Sequence, residues 1–435
     1  MRRRIPMNKI ITLLLIMAMG LFAQAQQPLT LTDAISKALE NNYDIVIAKE
    51  NQRIAGIENN WGTAGRYPYI NLSLGDNNSL RVVDGDNTTT IGLSGGASVN
   101  WTIFDGFSVN ITKTRLEELE NLSKNNTAVM VEGTIQSVIL AYYDVLLQKE
   151  ILATYNEVMA LSQDRYQKAE QQREYGSAVT YDVLQAQNAY LADRAGYLLQ
   201  EVAYKNSKRN LAYLMAEKEA VDYEYTDKFE AITEDYALAD LRAQMIENNK
   251  SLQNQYINQR LLSNAIASAK SSFSPSLGFT GGVTGSRSGI KIGDADMDWA
   301  NSANFYGNFT LSWNLFSGGN RKRALQIAEI DSDISEIQLS DMQHDLDNSL
   351  ANLFEFYQVR KELLMVADEN LAAAQLNLQI SRDKFEAGAI NSFNFRDVQE
   401  IYLRASQGKL EAIYNFINAQ TSLLRLTGVI VQEYE

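Results

Sequence analysis

The chain has no cysteine, which excludes disulfide staples and thiolate metal sites. It has a single histidine, His344, between Gln343 and Asp345 in a helical stretch. That is the setting of an exposed helix residue, not of a general base or metal ligand. There is no phosphate loop, nucleophile elbow or metal-ligand cluster, so neither an enzyme nor a cofactor is expected. Excess positive charge is also missing: 39 Lys and Arg stand against 53 Asp and Glu, a net charge of -14. A nucleic-acid partner would want a basic surface, and acid pairs such as Glu117-Glu118 read as solvated helix faces. Proline is scarce, at Pro6, Pro28, Pro68 and Pro275 only. Because proline breaks helix interiors, its scarcity leaves room for very long helices.

Long apolar runs are absent after the first two dozen residues. Arg2, Arg3, Arg4 and Lys9 precede an apolar run at residues 10–22, and Ala23-Gln24-Ala25 offers a small-x-small cleavage site. Residues 1–25 are therefore expected to be a signal peptide, with the mature chain starting near Gln26. No cysteine is present to carry a lipid there, and no later stretch approaches the ~18 apolar residues of a membrane-spanning helix.

What the sequence does contain is one unit written twice. Glu40-Asn41-Asn42 recurs as Glu247-Asn248-Asn249, Gln52-Arg53 as Gln259-Arg260, and Pro68 as Pro275, all shifted by 207. Beyond the prolines the shift is 212: Trp101 and Phe104 fall on Trp313 and Phe316, Gly176 on Gly388, and Leu211 and Leu214 on Leu423 and Leu426. The first repeat is expected over 26–219, an irregular linker over 220–237 and the second repeat over 238–435. Each copy reads as a helix ending at the proline (about 30–64 and 238–272), two strands, a proline-free helix (about 106–174 and 318–386), a glycine turn and a further helix (about 178–216 and 390–427). A helix of about 70 residues would span roughly 100 Å. The spacing of Ile327, Ile330, Ile334 and Ile337 is that of a coiled-coil seam or a helical core stripe.

Four stretches alternate apolar and small polar residues, expected as strands at about 69–80, 90–104, 276–286 and 304–316. Ile70, Leu72 and Leu74 oppose Asn71 and Ser73, for example, and Phe305, Phe309 and Leu311 oppose Tyr306, Asn308 and Thr310. The connecting segments, rich in glycine, asparagine and aspartate, read as long polar turns. Aromatics gather at the strand ends, with Tyr69, Trp101, Phe104, Phe305, Trp313 and Phe316 as candidate membrane-interface residues. Short alternating strands with aromatic flanks mark an outer-membrane barrel facing lipid. Four strands cannot close one, and an open edge in lipid leaves backbone groups unsatisfied. Two chains would supply eight strands and a filled interior, three would supply twelve and a pore. A conducting assembly is therefore expected to be a homotrimer.

The opening LTLTDAISKALENN, the helix–strand junctions at Tyr67-Pro68 and Ser274-Pro275, the WTIFDGF and WNLFSGG strand–helix junctions, and the paired turns at residues 173–191 and 384–403 together resemble the TolC family of outer-membrane efflux proteins. The resemblance covers nearly all of the mature chain. It implies a mainly α protein with a small β part: an α-helical barrel joined to a transmembrane β-barrel, four strands per subunit, closed by trimerisation. It also implies an outer-membrane channel with a large periplasmic portion, serving a tripartite efflux or secretion system. The partners would be a periplasmic adaptor (membrane fusion) protein and an inner-membrane transporter of RND or ABC type. The competing reading is a soluble periplasmic long-helix scaffold or adaptor. By the same resemblance Asp182, Asp397 and Asn394 occupy the positions of the periplasmic gate, and Gly176 and Gly388 the helix-turn tips that dock the adaptor. Three positions depart from the family pattern: Asn394 replaces a carboxylate, Phe385 a tyrosine and Ile390 an arginine. Asp182 and Asp397 also lie in the first turns of helices, where a carboxylate favours the helix dipole without any gate.

Overall fold

The computed structural model describes residues 27–84, 86–217 and 223–434. The expected signal peptide lies outside the described residues, as does the start of the expected linker. In chain order the described elements are β1 (Gln27–Leu29), α1 (Leu31–Asn41), α2 (Tyr43–Glu58), β2 (Tyr69–Val83), β3 (Asp86–Phe104), α3 (Ser108–Glu174) and α4 (Thr180–Leu214). They continue with β4 (Tyr223–Tyr225), α5 (Leu238–Asn248), α6 (Lys250–Ser271), β5 (Ser276–Ile292), β6 (Asp298–Ser312), α7 (Asn320–Glu386), α8 (Ser392–Thr427) and α9 (Ile430–Tyr434). The chain divides into two compact units. One is built from residues 27–46, 130–249 and 347–434, the other from 47–129 and 250–346.

The first unit is helical around an apolar core. Ile135, Val138, Ile139, Tyr142 and Val145 of α3 pack with Ala34 and Ile35 of α1, Leu211 of α4 and Ile417 of α8. This part of the core explains why α3 holds one window apolar enough to cross a membrane, which the sequence pattern did not anticipate; half of that window is buried inside the protein. The linker is not wholly irregular either. Its β4 strand pairs in parallel with β1, with Gln27 opposite Tyr223 and Leu29 opposite Tyr225. Tyr142, fully buried, secures the pair by donating its hydroxyl to Leu29 O at 2.9 Å.

The helices expected at 30–64 and 238–272 are each broken in two, at Asn42 and Asn249. Both asparagines leave helical backbone geometry, with ψ of 129° and 114°. Each is buried, and each Nδ2 donates to a carbonyl in the last turn of a neighbouring helix: Asn42 to Leu214 O at 2.8 Å, Asn249 to Leu426 O at 2.9 Å. Helix C-termini leave such carbonyls orphaned, so the duplicated Glu-Asn-Asn motif supplies the same cap in both repeats. The first of these helices also ends early, at Glu58. There Asn60 takes over the backbone, donating to Ile57 O at 2.7 Å and accepting from Thr63 N at 2.9 Å.

The second unit holds one four-stranded antiparallel sheet in the order β2-β3-β5-β6. The strands run further than the alternation alone indicated. The segment between β2 and β3 reads as a turn by composition, yet Leu80 pairs with Thr89 and Val82 with Asn87, and the ladder runs to Val83 opposite Asp86. In the other hairpin the ladder continues to Ile290 opposite Asp298. Leu80 and Val82 keep the apolar alternation going, and paired backbone outweighs the weak strand preference of Asn, Asp and Gly. Conversely β6 ends at Ser312, so Trp313 and Phe316 lie beyond it.

Replacing Asn42 or Asn249 by leucine removes a buried cap and strands one carbonyl. Each substitution is expected to cost about 1–3 kcal/mol, read as a lower thermal midpoint in circular dichroism. Exposed Asn41→Leu should leave the midpoint unchanged.

Candidate functional site

The ladder places the apolar sides of all four strands on one face. Ile70 stands opposite Val99 and Leu72 opposite Ala97; Ala97 in turn faces Val283, and Val283 faces Phe305. Lower down, Trp101, Phe279 and Phe309 form one row and Leu277 and Leu311 another. Higher up the face turns polar in a single row of Asp76, Leu93, Arg287 and Asn301. From Asn301 to Leu311 the strand rises roughly 33 Å along its axis. At the ~40° tilt of barrel strands that is an apolar band about 25 Å tall, the height of an outer-membrane barrel's lipid zone. Above it the Arg287 guanidinium sits 4.9 Å from the Trp299 ring. The opposite face carries Asn71, Ser73, Ser98, Asn100, Thr280, Thr284, Asn308 and Thr310.

Large apolar side chains are left uncovered on this face: Leu72 is 80% exposed and Phe305 78%. The outer edges of β2 and β6 pair with no other described strand. The aromatic candidates divide into two kinds. Phe305 stands on the apolar face, whereas Tyr69, opposite Asn100, stands on the polar one and does not join the lipid-facing aromatics; Phe104 closes β3 in edge contact with Phe107 at 5.4 Å. Trp101 and Trp313 are also joints: their indole Nε1 atoms donate to Arg66 O at 3.0 Å and Phe273 O at 3.1 Å. Both acceptors lie two residues before the paired prolines Pro68 and Pro275, so each repeat clamps its strand end to its helix–strand junction. Phe316, 84% exposed, follows Trp313.

The helix-turn tips belong to the first unit. Gly176 and Gly388 both adopt positive φ, 74° and 73°, with open space where a Cβ would be. Their turns close alike. Gly176 N donates to Arg173 O at 2.9 Å and Ser177 N to Gln172 O at 2.8 Å; Gly388 N donates to Phe385 O at 3.1 Å and Ala389 N to Lys384 O at 2.7 Å. The left-handed residue after a helix end is the usual place for glycine. Past the turns, the Asp182 carboxylate accepts from Val179 N at 3.4 Å as a first-turn cap of α4. Asn394 donates its backbone N–H to Asn391 Oδ1 at 2.9 Å, and Asp397 is exposed on α8. No hydrogen bond or ion pair joins any two of these three among the described residues.

Two groups near the tips were not singled out from the sequence. In one, Phe385 stacks on Phe395 with ring centroids 4.9 Å apart, and Ile390 joins them beside Val158, Leu378 and Tyr402. Two of the three departures from the family pattern thus pack into one apolar cluster. The other is a buried polar network. Arg396 Nη1 donates to Asp193 Oδ2 at 2.5 Å and its Nε to Glu400 Oε1 at 2.9 Å. Arg165 Nη1 donates to Ser392 O and Gln399 Oε1, both at 3.3 Å. Burial pushes the Arg165 guanidinium down to about 10, and the charge of Arg396 adds to this while Asp193 and Glu400 oppose it. Burial also works against the charge of Arg396, but its bonds to Asp193 and Glu400 outweigh that and raise its pKa. A sequence signal existed: Gln399 is a long polar side chain in the buried α8 lane Phe395, Gln399, Tyr402, Ser406.

Asp193 is 5% exposed, so Asp193→Leu leaves Arg396 without its buried partner and is expected to cost about 3–5 kcal/mol. The Asp193→Leu/Arg396→Leu double variant should recover much of this. A thermal double-mutant cycle checks it; equal losses in the single and double variants would refute the pairing.

The family described as outer membrane efflux protein matches residues 34–217 and 241–429. The chain is similar to the cation efflux system protein CusC of Escherichia coli O157:H7, at 23% identity over 404 residues that cover 89% of this chain and 84% of CusC. It is similar to the probable outer membrane lipoprotein SilC of Salmonella typhimurium, at 22% identity over 396 residues, 89% of this chain and 84% of SilC. Among solved structures, CusC superposes with a TM-score of 0.74 at 17% identity, covering 94% of this chain and 95% of CusC. VceC of Vibrio cholerae gives 0.69 at 13% identity, covering 92% and 96%. With one apolar sheet face, two capped helix-turn tips and a family match over both repeats, the chain belongs to the outer membrane efflux protein family and is a channel subunit of the outer membrane.

Proposed function

We propose that three copies of this chain close a twelve-stranded barrel, β6 of each subunit pairing with β2 of the next, as the exit duct of a tripartite efflux or secretion system. The observation that carries this reading is the four-stranded sheet with one continuous apolar face and two free edges. In lipid each unpaired edge group costs several kcal/mol, so the wall must be completed by further strands, and the only strands of matching length and face belong to other copies. A soluble periplasmic scaffold would leave Leu72, Phe305 and their row neighbours in water.

The chain itself catalyses no reaction in this reading; an inner-membrane transporter of RND or ABC type drives the cargo. The turns at Gly176 and Gly388 are the docking points for a periplasmic adaptor. Asp182, Asp397 and Asn394 form the gate. Asp397 is the strongest of the three, since it is exposed and has no ion-pair or hydrogen-bond partner among the described residues, whereas Asp182 is spent as a cap. Threefold symmetry would turn one Asp397 into a ring of three carboxylates that attracts cations.

Detergent-solubilised protein is expected to show the mass of three chains in light scattering and to conduct in planar bilayers. A stable monomer in aqueous buffer without detergent would refute the assembly. In the reconstituted channel Asp397→Ala should weaken block by divalent cations, measured as single-channel current; unchanged block would remove Asp397 from the gate.

A further inference from the structure

Charge on the second repeat is distributed unevenly around the sheet. The protein is acidic overall, yet residues 261–293 and 299–328 contain no aspartate or glutamate. At the helix-joined end of β5 and β6 these stretches bring four cations to one junction: Lys270 in the last turn of α6 and Arg321, Lys322 and Arg323 in the first turn of α7. Among the described residues no ion pair engages any of them. Two carboxylates, one just before α3 and one on α7, do not pair with them. Asp105 caps α3 through Val109 N at 3.1 Å, and Asp331 lies along the same α6–α7 groove as Arg321, without an ion pair to it.

Local structure accounts for one of the four. Arg321 donates to Ser272 O at 3.0 Å and to Asn314 O, and lies 5.2 Å from the Phe273 ring, so it holds the junction together. Arg323 reaches only Gly318 O, at 3.2 Å, and Asn320. Lys322 is exposed, with no partner among the described residues. Three consecutive cations in a first helical turn run against the helix dipole, and the corresponding positions of the first repeat hold Val109, Asn110 and Ile111. Helix formation therefore does not explain them.

Their surroundings point to a ligand. Immediately before them, past the end of β6, Trp313, Leu315 and Phe316 are 60%, 75% and 84% exposed and add apolar surface next to the sheet. An apolar surface that ends in aromatics and then in unpaired cations matches the section through a bilayer leaflet from acyl chains to phosphate. We propose that Lys322 and Arg323, with Lys270, bind the phosphate of anionic phospholipid in the leaflet facing the helices. Arg321 is a positioning residue that fixes the turn presenting them. The inference rests on the membrane-wall reading of the sheet.

The test uses the full chain in mixed micelles holding equal amounts of phosphatidylglycerol and phosphatidylcholine with identical acyl chains, with bound lipid counted by native mass spectrometry. Phosphatidylglycerol should be retained at least about fivefold over phosphatidylcholine, the effect of one juxtamembrane cation. Lys322→Gln/Arg323→Gln should bring the ratio close to one without lowering the thermal midpoint. Lys168→Gln/Arg382→Gln, at the helix tips, should leave it unchanged, and excess inorganic phosphate should not displace the lipid. Equal retention of both lipids by the unaltered protein overturns the proposal. So does displacement by free phosphate, or an equal effect of the tip variant. Retention of neither lipid would instead refute the membrane wall itself.

Discussion

A strand edge in hydrocarbon has no water to pair with, and this constraint organises the β part of the protein. Each repeat makes one hairpin, which by itself would expose two edges. Pairing β3 with β5 joins the hairpins and reduces four edges to two. Pairing within the chain can go no further, because the order β2-β3-β5-β6 puts the free edges on the first strand of one hairpin and the last of the other. The register then decides what the sheet can face. A one-residue slip between β3 and β5 that set Trp101 beside Thr280 and Ala97 beside Thr284 would move half of the apolar band to the other face. The central ladder is thus where both the wall and its sidedness are specified.

Duplication has preserved the joints and released the rest. Asn42 and Asn249 cap the ends of α4 and α8 by the same bond, and Trp101 and Trp313 clamp the same carbonyl before each proline. Between the joints the copies diverge. Phe107 holds φ of 70°, a costly conformation for a bulky residue, where the second copy has Gly319 at 80°. A turn geometry outlasting the residue that suits it indicates that the direction of the chain into the long helix is the conserved quantity. Arg321, which ties three segments of the second junction together, has Val109 as its counterpart, so the two junctions reach one geometry by different bonds.

Those differences also explain which parts were legible in the sequence. The helices α3 and α7 start within two residues of expectation, because nothing competes with a helix over a long proline-free stretch. The breaks at Asn42 and Asn249 were not legible: a lone asparagine lowers helix propensity only slightly, and its effect depends on a carbonyl some 170 residues away. The strand ends failed for the opposite reason. Asn, Asp and Gly around residues 75–88 are turn formers locally, but the partner ladder decides their state. The sheet's apolar face was readable from alternation alone. The tip was not, since Arg165, Asp193 and Arg396 lie on three helices far apart in sequence.

The tip also holds the three departures from the pattern that the resemblance implies, and two of them have a physical direction. The resemblance implies a tyrosine and an arginine where this chain has Phe385 and Ile390, groups that could bond across a polar entrance. Here both side chains turn into the cluster with Phe395 and Val158. An apolar contact of this kind is non-directional and is not screened by salt. The charged contacts that do persist are internal, with Asp193 almost fully buried against Arg396. Apolar packing and buried charge therefore hold these helix ends together, and exposed Asp397 is not among the residues of either group. In the proposed gate, rigidity of the tip and response to cargo would thus rest on separate residues, so a change in one need not disturb the other.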